Sequence, residues 1–326
     1  MIEEWKLNVL CCPNCKSDLY EKENELICVK CNVSYPIINN IPRFVEVDNY
    51  ADSFGFQWNL FKKTQHDKYS NYGHSNKRFE TETGWKDEEI KNNIILDAGC
   101  GNGRFTEVAL SKGAKVVALD LSGAVESCYL NMIEAGHDKS SFIVLQASFY
   151  NMPIKHSILD KAFSLGVLQH TPDPKKSLEE ICDLVRKNGD IAFWVYEKNW
   201  KMWIGYLYYF RIITKHLSQK TNWELSNILT NIFFPLAWTL NKFFGKVGNT
   251  VTRICLPFAF RKVHENMNYD DSKQWSLLDT FDNISPRYDS PISEIEMKLW
   301  LKEAGLINIK RNQVPGLAIK AKKYNL

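Results

Sequence analysis

Two groups of residues in this chain have the types and spacing of a chemical site. The first is Cys12-Pro13-Asn14-Cys15, followed, after twelve intervening residues, by Cys28-Val29-Lys30-Cys31. Each C-x-x-C folds into a tight knuckle that turns two thiolates toward one ion. Two knuckles close a tetrahedral four-thiolate set, which suits Zn²⁺; the competing reading is a redox pair. A closed set has no open coordination position for catalysis, so its expected role is structural or recognitional. The second group is Ile94-Ile95-Leu96-Asp97-Ala98-Gly99-Cys100-Gly101-Asn102-Gly103-Arg104-Phe105. An apolar run ends in an acid, three glycines follow at alternate positions, and a helical pattern begins. Glycine lets the backbone turn sharply and approach a ligand, and the helix start presents unpaired N–H groups to it. Asp120 ends the next apolar run, Lys115–Asp120. A carboxylate at that place accepts hydrogen bonds from both hydroxyls of a ribose; the bland alternative is a solvated acid at a strand end.

The glycine spacing narrows the ligand. Dinucleotide loops read G-x-G-x-x-G, whereas this one reads Asp97-x-Gly99-x-Gly101-x-Gly103, with Arg104 and Thr106 where a further glycine is needed. An acid ahead of the glycines repels a pyrophosphate and attracts an ammonium or a water-bridged amino-acid group. At this point the residues resemble the class I S-adenosylmethionine-dependent methyltransferases, whose first motif is D/E-x-G-x-G-x-G. The resemblance runs from Ile94 to Lys322. It implies that Asp97, Gly99, Gly101 and Gly103 hold the methionine half of S-adenosylmethionine and that Asp120, with Leu121 beside it, holds the ribose. Leu165-Gly166-Val167-Leu168-Gln169-His170-Thr171-Pro172-Asp173-Pro174 matches the family's fourth-strand motif, which adds Gly166 to the cofactor set. Leu184 to Asp190 matches the turn into the fifth strand. The chain departs from the family at Gln146-Ala147-Ser148-Phe149. An acid that contacts the adenine amino group is common there, and Ser148 replaces it. A weaker or backbone-mediated adenine contact is expected, with Phe149 stacking. His170 stands at the mouth of such a site. Its imidazole is either the base that takes a proton from an attacking hydroxyl or amine, or a cofactor contact. The other histidines read as surface residues.

The elements that must position these residues alternate. Strands are expected at Ile94–Asp97, Lys115–Asp120, Phe142–Gln146, Leu159–Leu165 and Asp190–Tyr196. Helices are expected at Gly103–Lys112, from Ser122 to about Ala135, and at Pro174–Arg186. Continuous apolar strands between helices make a parallel sheet covered on both faces, with ligands at the carboxyl ends of its strands. Ser293 opens a capping box with Glu296, and Ile307–Lys310 and Leu317–Lys322 form a closing antiparallel pair. The fold class is therefore α/β: a Rossmann-like, seven-stranded, mostly parallel sheet with a small N-terminal zinc ribbon and a helical insertion. The domains read as a ribbon over 1–47, an aromatic linker or lid over 48–93, and a methyltransferase domain over 94–326 with the insertion at 198–262. In the ribbon, Leu19-Tyr20 and Leu26-Ile27 flank a polar turn and make a hairpin between the knuckles. So small a module draws much of its stability from the metal. Leu10 to Phe44 resembles the small zinc-ribbon proteins that partner tRNA and protein methyltransferases; the same ribbon occurs fused to the front of bacterial methyltransferases.

The lead-in Phe54–Phe61 is dense in aromatics. It is either packing onto the next domain or a lid that brings Gln57, Trp58 or Arg78 to the ligand. The insertion holds ten lysines and arginines against one acid, Glu224, interleaved with fourteen aromatics. Two or three helices are expected, broken at Pro235 and at Gly245 to Gly248. Three roles fit it: a helical cap, contact with an anionic membrane or lipid substrate, or RNA binding. Asp279, Asp282 and Tyr288, in the polar segment Asp279–Tyr288 read as a turn, are the substrate-side candidates.

Composition sets limits on these readings. A net charge of +3 gives no global nucleic-acid signature. Nine cysteines with no framework spacing, and an N-terminus without a basic and apolar leader, imply a reducing cytoplasmic compartment. Cys11, Cys100, Cys128, Cys182 and Cys255 read as buried small side chains. The longest uncharged run, Leu225–Asn241, is too short and too polar to span a bilayer. The expected activity is methyl transfer to a hydroxyl of a small, glycosidic or lipid-linked substrate. The chain is placed in the cytoplasm or at the inner face of a membrane. The alternative is a zinc-ribbon rRNA or tRNA methyltransferase, and a third class is a non-enzymatic binding module.

Overall fold

The computed structural model describes residues 2–45, 55, 61, 64–70, 72–198, 206–262 and 264–324. Gln57, Trp58, Trp200 and Trp203 lie outside them. The chain forms two compact units. The first comprises Met1–Asn59, Ser75–Glu197 and Tyr288–Leu326; the second comprises Leu60–His74 and Lys198–Arg287.

The first unit is built on a seven-stranded sheet of order β10-β11-β9-β8-β5-β6-β7. Its strands are β5 (Ile94–Ala98), β6 (Lys115–Asp120), β7 (Phe142–Gln146), β8 (Leu159–Leu165), β9 (Val185–Val195), β10 (Leu306–Asn312) and β11 (Leu317–Lys323). β5 to β9 pair in parallel, while β11 runs antiparallel to both β9 and β10. Successive side chains alternate between two cores. Leu96, Val117, Leu119 and Phe193 pack on one face, and Ile95, Val116, Ala118 and Phe163 on the other. Continuous apolar strands are what a sheet buried on both faces needs. The strand order reverses at β5, which has β6 on one side and β8 on the other. Open α/β sheets bind ligands at the carboxyl ends of the strands flanking such a reversal.

The ribbon is a four-stranded antiparallel sheet: β1 (Leu19–Lys22), β2 (Glu25–Cys28), β3 (Ser34–Ile38) and β4 (Ile41–Pro42). Glu23-Asn24 and Asn39-Asn40 turn its hairpins with positive φ angles of 48°, 63°, 55° and 65°. Two consecutive left-handed residues match the twist of the flanking strands. The ribbon lies on the β7 side of the large sheet. Phe44 N–H donates to the Gln146 carbonyl at 2.8 Å, Cys11 N–H to Pro153 at 3.0 Å, and Lys155 N–H to Val9 at 2.9 Å. The Trp5 indole adds a bond to the Ser140 carbonyl at 2.8 Å. An uncovered edge strand is a template for unwanted pairing; here the chain's own N-terminal module occupies part of that edge.

The second unit is helical. Tyr206–Thr214 and Gln219–Cys255 are followed by Tyr269–Ile284. Two expectations are corrected here. Pro235 does not break its helix, and the only non-helical residue within Gln219–Cys255 is Gly245. A proline frees one carbonyl four residues back; Asn231 and Pro235 are both exposed, so water can satisfy it. The segment Asp279–Tyr288 is helical as far as Ile284 and becomes irregular only after it. Two smaller readings also fail: His66 is buried and Cys255 is exposed.

Candidate functional site

The loop after β5 has the conformation its glycines allow. Gly99, Gly101 and Gly103 have φ of 87°, 52° and 86°, values that cost an L side chain energy. Gly99 and Cys100 N–H both donate to the Leu119 carbonyl, at 2.7 and 3.0 Å, which ties the loop to the end of β6. Space is limiting as well. A Cβ on Gly99 would fall 2.5 Å from Val167 Cγ1, and one on Gly103 would fall 2.8 Å from Cys128 Sγ. Val167 lies in the loop after β8, so the two loops at the strand-order reversal pack directly on each other. Ser164 Oγ also donates to the Ala98 carbonyl at 2.8 Å.

Two acids frame this loop. Asp97, only 2% exposed, accepts a 2.6 Å bond from Thr106 Oγ1. No cation pairs with it among the described residues. Burial pushes its carboxyl up to about 7; the Thr106 bonds oppose that shift and the nearby Asp120 charge adds to it. A buried carboxylate without a cation matches a positively charged ligand group in charge. Asp120 accepts from Gly101 N–H at 2.9 Å through one oxygen. Its other oxygen accepts from Ser122 N–H at 2.8 Å and Ser122 Oγ at 2.7 Å. Burial raises the Asp120 carboxyl above its ordinary value against these bonds. Asp120 thus holds the middle of the loop, and Asp97 ties the end of β5 to the helix that follows the loop.

His170 ends the short 3₁₀ turn Leu168–His170 that follows β8. Its Nδ1 lies 3.1 Å from the Tyr288 carbonyl oxygen. A carbonyl only accepts, so Nδ1 carries the proton and the lone pair is on Nε2. The Asp289 carboxylate stands 3.9 Å from the same Nδ1. The ring meets Tyr196 edge-on at 5.5 Å. Ser290 N–H donates to the Gln169 carbonyl at 2.7 Å and holds this segment against the post-β8 turn.

Residues 96–193 match the family model described as a methyltransferase domain, and residues 7–40 match the model described as Trm112p-like protein. Two separate segments of the chain are thus similar to a Trm112p-like protein and to a methyltransferase domain. The ubiquinone biosynthesis O-methyltransferase of Escherichia fergusonii is 28% identical over 127 residues, which cover 37% of this chain and 52% of that protein. The corresponding Escherichia coli enzyme matches to the same extent. The chain thus spans about half the length of the curated relatives it matches. Among solved structures, magnesium protoporphyrin IX methyltransferase from Synechocystis with bound SAH is 13% identical, with a TM-score of 0.47 over 84% of this chain and 96% of that one.

In the Trm112p-like domain, the Sγ atoms of Cys12, Cys15, Cys28 and Cys31 all lie within 4.8 Å of one another. Cys12–Cys31, Cys15–Cys28 and Cys15–Cys31 are separated by 3.6, 3.3 and 3.7 Å. Four thiolates bound to one Zn²⁺ at about 2.3 Å stand about 3.8 Å apart, so the cysteines fit that ion with little movement. Lys30 and Cys31 N–H both point at Cys28 Sγ at 3.4 Å, and the Tyr35 hydroxyl lies 3.2 Å from Cys12 Sγ. These donors suit a thiolate. Cys11 stands outside the cluster, its N–H bonded to Pro153.

The other residues singled out from the sequence have the following local surroundings. Leu121 follows Asp120, and its carbonyl accepts from Gln146 Nε2 at 3.0 Å. Gly166 has φ 83°, and its N–H donates to the Trp194 carbonyl at 2.7 Å. Ser148 Oγ accepts from Tyr150 N–H at 3.3 Å and caps a short turn; Phe149 is buried within the apolar core. Tyr288 reaches His170 through its backbone. Asp279 and Asp282 lie in the helix Tyr269–Ile284 of the second unit, where Asp279 pairs with Arg261 at 3.2 Å. Arg78, considered for the ligand, forms two bonds with Glu82 at 2.5 and 3.1 Å and covers the Trp194 ring at 4.9 Å.

Sequence reasoning missed Thr106, Asp289, Arg43 and Gln169. Thr106 lies nine residues from Asp97 on the following helix, where a hydroxyl facing the strand-end acid is a usable signal. Asp289 carries none, because its partner is 119 positions away only in the chain. Gln169 is fully buried, and neither of its side-chain amide atoms has a hydrogen-bond partner among the described residues. An unmatched amide beside His170 is costly to bury unless a bound molecule completes it.

Proposed function

We propose that the chain is an S-adenosylmethionine-dependent methyltransferase acting on a hydroxyl of a small, glycosidic or lipid-linked acceptor. The observation that carries this reading is the buried, cation-free Asp97 behind a left-handed glycine loop that is also fixed by Asp120. The methyltransferase family match over 96–193 supports it. S-Adenosylmethionine, when bound, supplies a methyl group on a positively charged sulfur. Asp97 and Gly99, Gly101 and Gly103 would hold its methionine half; Asp120 and Leu121 its ribose; and Ser148, Phe149 and Gly166 the remaining edge. A carboxylate at Asp97 provides the negative potential that a cationic ligand requires. His170, with its proton fixed on Nδ1 by Tyr288, takes the acceptor hydroxyl proton at Nε2, and Asp289 stabilises the imidazolium that results. Most of the rate gain comes from holding the two reactants in line.

The Trm112p-like domain would hold one structural Zn²⁺ through Cys12, Cys15, Cys28 and Cys31 and takes no part in the chemistry. The acceptor class is supported by the exposed apolar and basic surface of 209–262, which favours contact with the inner face of a membrane. The same charge keeps an RNA acceptor as the second reading. Incubation with labelled S-adenosylmethionine and fractionated extract distinguishes them: label entering lipid or glycan supports the proposal, and label entering RNA supports the alternative. An absence of S-adenosylmethionine binding in equilibrium dialysis would sink both.

A further inference from the structure

We propose that Gln219–Cys255 is a helical hairpin that docks tip-first onto an anionic lipid surface, through Phe243, Phe244 and Val247 set between Lys242 and Lys246. The proposal narrows the membrane contact above to one element and is independent of methyl transfer.

The hairpin follows from its glycines. Gly245 is the one residue in the segment with non-helical angles, φ 48° and ψ −121°. Past it the chain turns back on itself. A Cβ on Gly248 would overlap the Leu240 carbonyl, so the arms touch backbone to backbone there. Asn241 Nδ2 bonds across to Thr252 Oγ1 at 3.3 Å, and Thr252 is fully buried. The inner face of the long arm is also filled: Leu229, Phe234 and Ala237 form a core with Phe258.

The outer face has no such cover. Ile228, Ile232, Leu236 and Phe243 follow at steps of four, four and seven, which places them on one side of the long arm. Val247, Val251 and Ile254 do the same on the short arm. All are exposed, and the tip most of all: Phe243 is 72% and Val247 66% exposed. A soluble helix keeps such positions polar unless something covers them.

The chemistry of the cover is set by charge. Lys242 and Lys246 bracket the tip and Arg253 lies on the short arm, while residues 198–262 contain Glu224 as their single acid. Apolar side chains flanked by cations suit the headgroup boundary of an anionic bilayer, where the rings enter the acyl region and the lysines remain with the phosphates. A second copy of the chain suits this surface less well, because a two-fold contact would bring like charges together. Among the described residues no helix is long and apolar enough to cross a membrane, so the proposed mode is docking of the tip at the surface and not spanning.

The test is flotation of the full chain with phosphatidylcholine vesicles, with and without phosphatidylglycerol. Binding is expected only with the anionic lipid and should fall as salt is raised. Phe243→Ser with Phe244→Ser should reduce partitioning at least about tenfold, as the loss of two buried rings implies. Lys242→Glu with Lys246→Glu should abolish the preference for anionic vesicles. Both pairs are exposed, so melting temperatures should match the parent. A Phe243→Trp variant should show a blue-shifted emission component when anionic vesicles are added. Equal flotation of the Phe243/Phe244 variant and the parent overturns the proposal. So does a concentration-dependent dimer lost in that variant without vesicle binding, or retention of RNA without vesicle binding.

Discussion

Arg43 Nη1 donates to the side-chain oxygen of Gln146 at 2.8 Å, and the same amide donates onward to the Leu121 carbonyl at 3.0 Å. Arg43 also pairs through Nη2 with Glu126, on the helix that follows this turn. Arg43, at the end of the N-terminal ribbon, therefore braces the turn that carries Asp120 and Leu121. Because this module is anchored at Gln146 and again at Pro153 and Ile154, the turn takes part of its shape from the four-cysteine ribbon.

Replacing Arg43 should therefore weaken cofactor binding although Arg43 lies outside the proposed pocket. Arg43→Ala leaves the buried Gln146 amide without its charged donor, a loss of about 1.5–3 kcal/mol. S-Adenosylmethionine affinity measured by calorimetry should fall about tenfold. Gln146→Leu should produce much the same fall, and the double variant should be less than additive. An unchanged affinity in Arg43→Ala would remove the bracing role.

Metal content should be one zinc ion per chain by elemental analysis. A strong chelator should lower the melting temperature and expose the β7 edge, seen as aggregation on warming. Cys28→Ser should reproduce both effects, and added zinc should not rescue it. Recovery of a metal-free protein with the parent's melting curve would contradict the structural role.

Asp97 gives a pH dependence with a definite sign. Its folded carboxyl is raised from the ordinary 3.8 to about 7 by burial, with Thr106 opposing and Asp120 adding. A raised acid binds more protons folded than unfolded between those values. Its contribution to stability is complete below pH 3.8 and is lost as pH rises through about 7. Cofactor binding runs the other way, since only the ionised form attracts a cation. Affinity for S-adenosylmethionine should rise with pH through 7, and Asp97→Asn should bind weakly with no such slope. A flat profile in the parent protein would separate Asp97 from the cofactor's charge.

His170→Gln should lower kcat by about 100-fold or more, the usual size of a general-base contribution. The dissociation constant for S-adenosylmethionine should stay within a factor of about two, because the role assigned to His170 is toward the acceptor. Asp289→Asn should cost less and act on kcat alone. A large loss of cofactor affinity in His170→Gln would instead mark a cofactor contact.

Gly99→Ala tests the contact between the two loops. Its Cβ meets Val167 at 2.5 Å on a backbone at φ 87°, so conformation and overlap together cost about 3 kcal/mol. The melting temperature should drop and cofactor binding should be lost. Val167→Ala in the same chain should recover part of the stability, since it removes the atoms that clash.

The sequence by itself determined the features whose cause is local. The Cys12–Cys15 and Cys28–Cys31 knuckles, the sharp turn at Gly99, Gly101 and Gly103, the acid at each strand end and the continuous apolar strands of the sheet are all written within a few residues of where they act. The antiparallel closing pair was legible for the same reason. Short-range errors arose where the environment overrode propensity. Pro235 stays helical because its freed carbonyl faces water, and Asp279–Ile284 is helical because Leu278, Phe281 and Ile284 are buried on one face. Tertiary structure alone decided the rest. Arg43 reaches Gln146 across 103 positions and His170 reaches Tyr288 across 118, separations at which no spacing rule operates. The hydrogen-bond partner of His170, the exposure of Phe243 and the bracing of Leu121 depend on which surfaces meet, and only the folded chain brings those surfaces together.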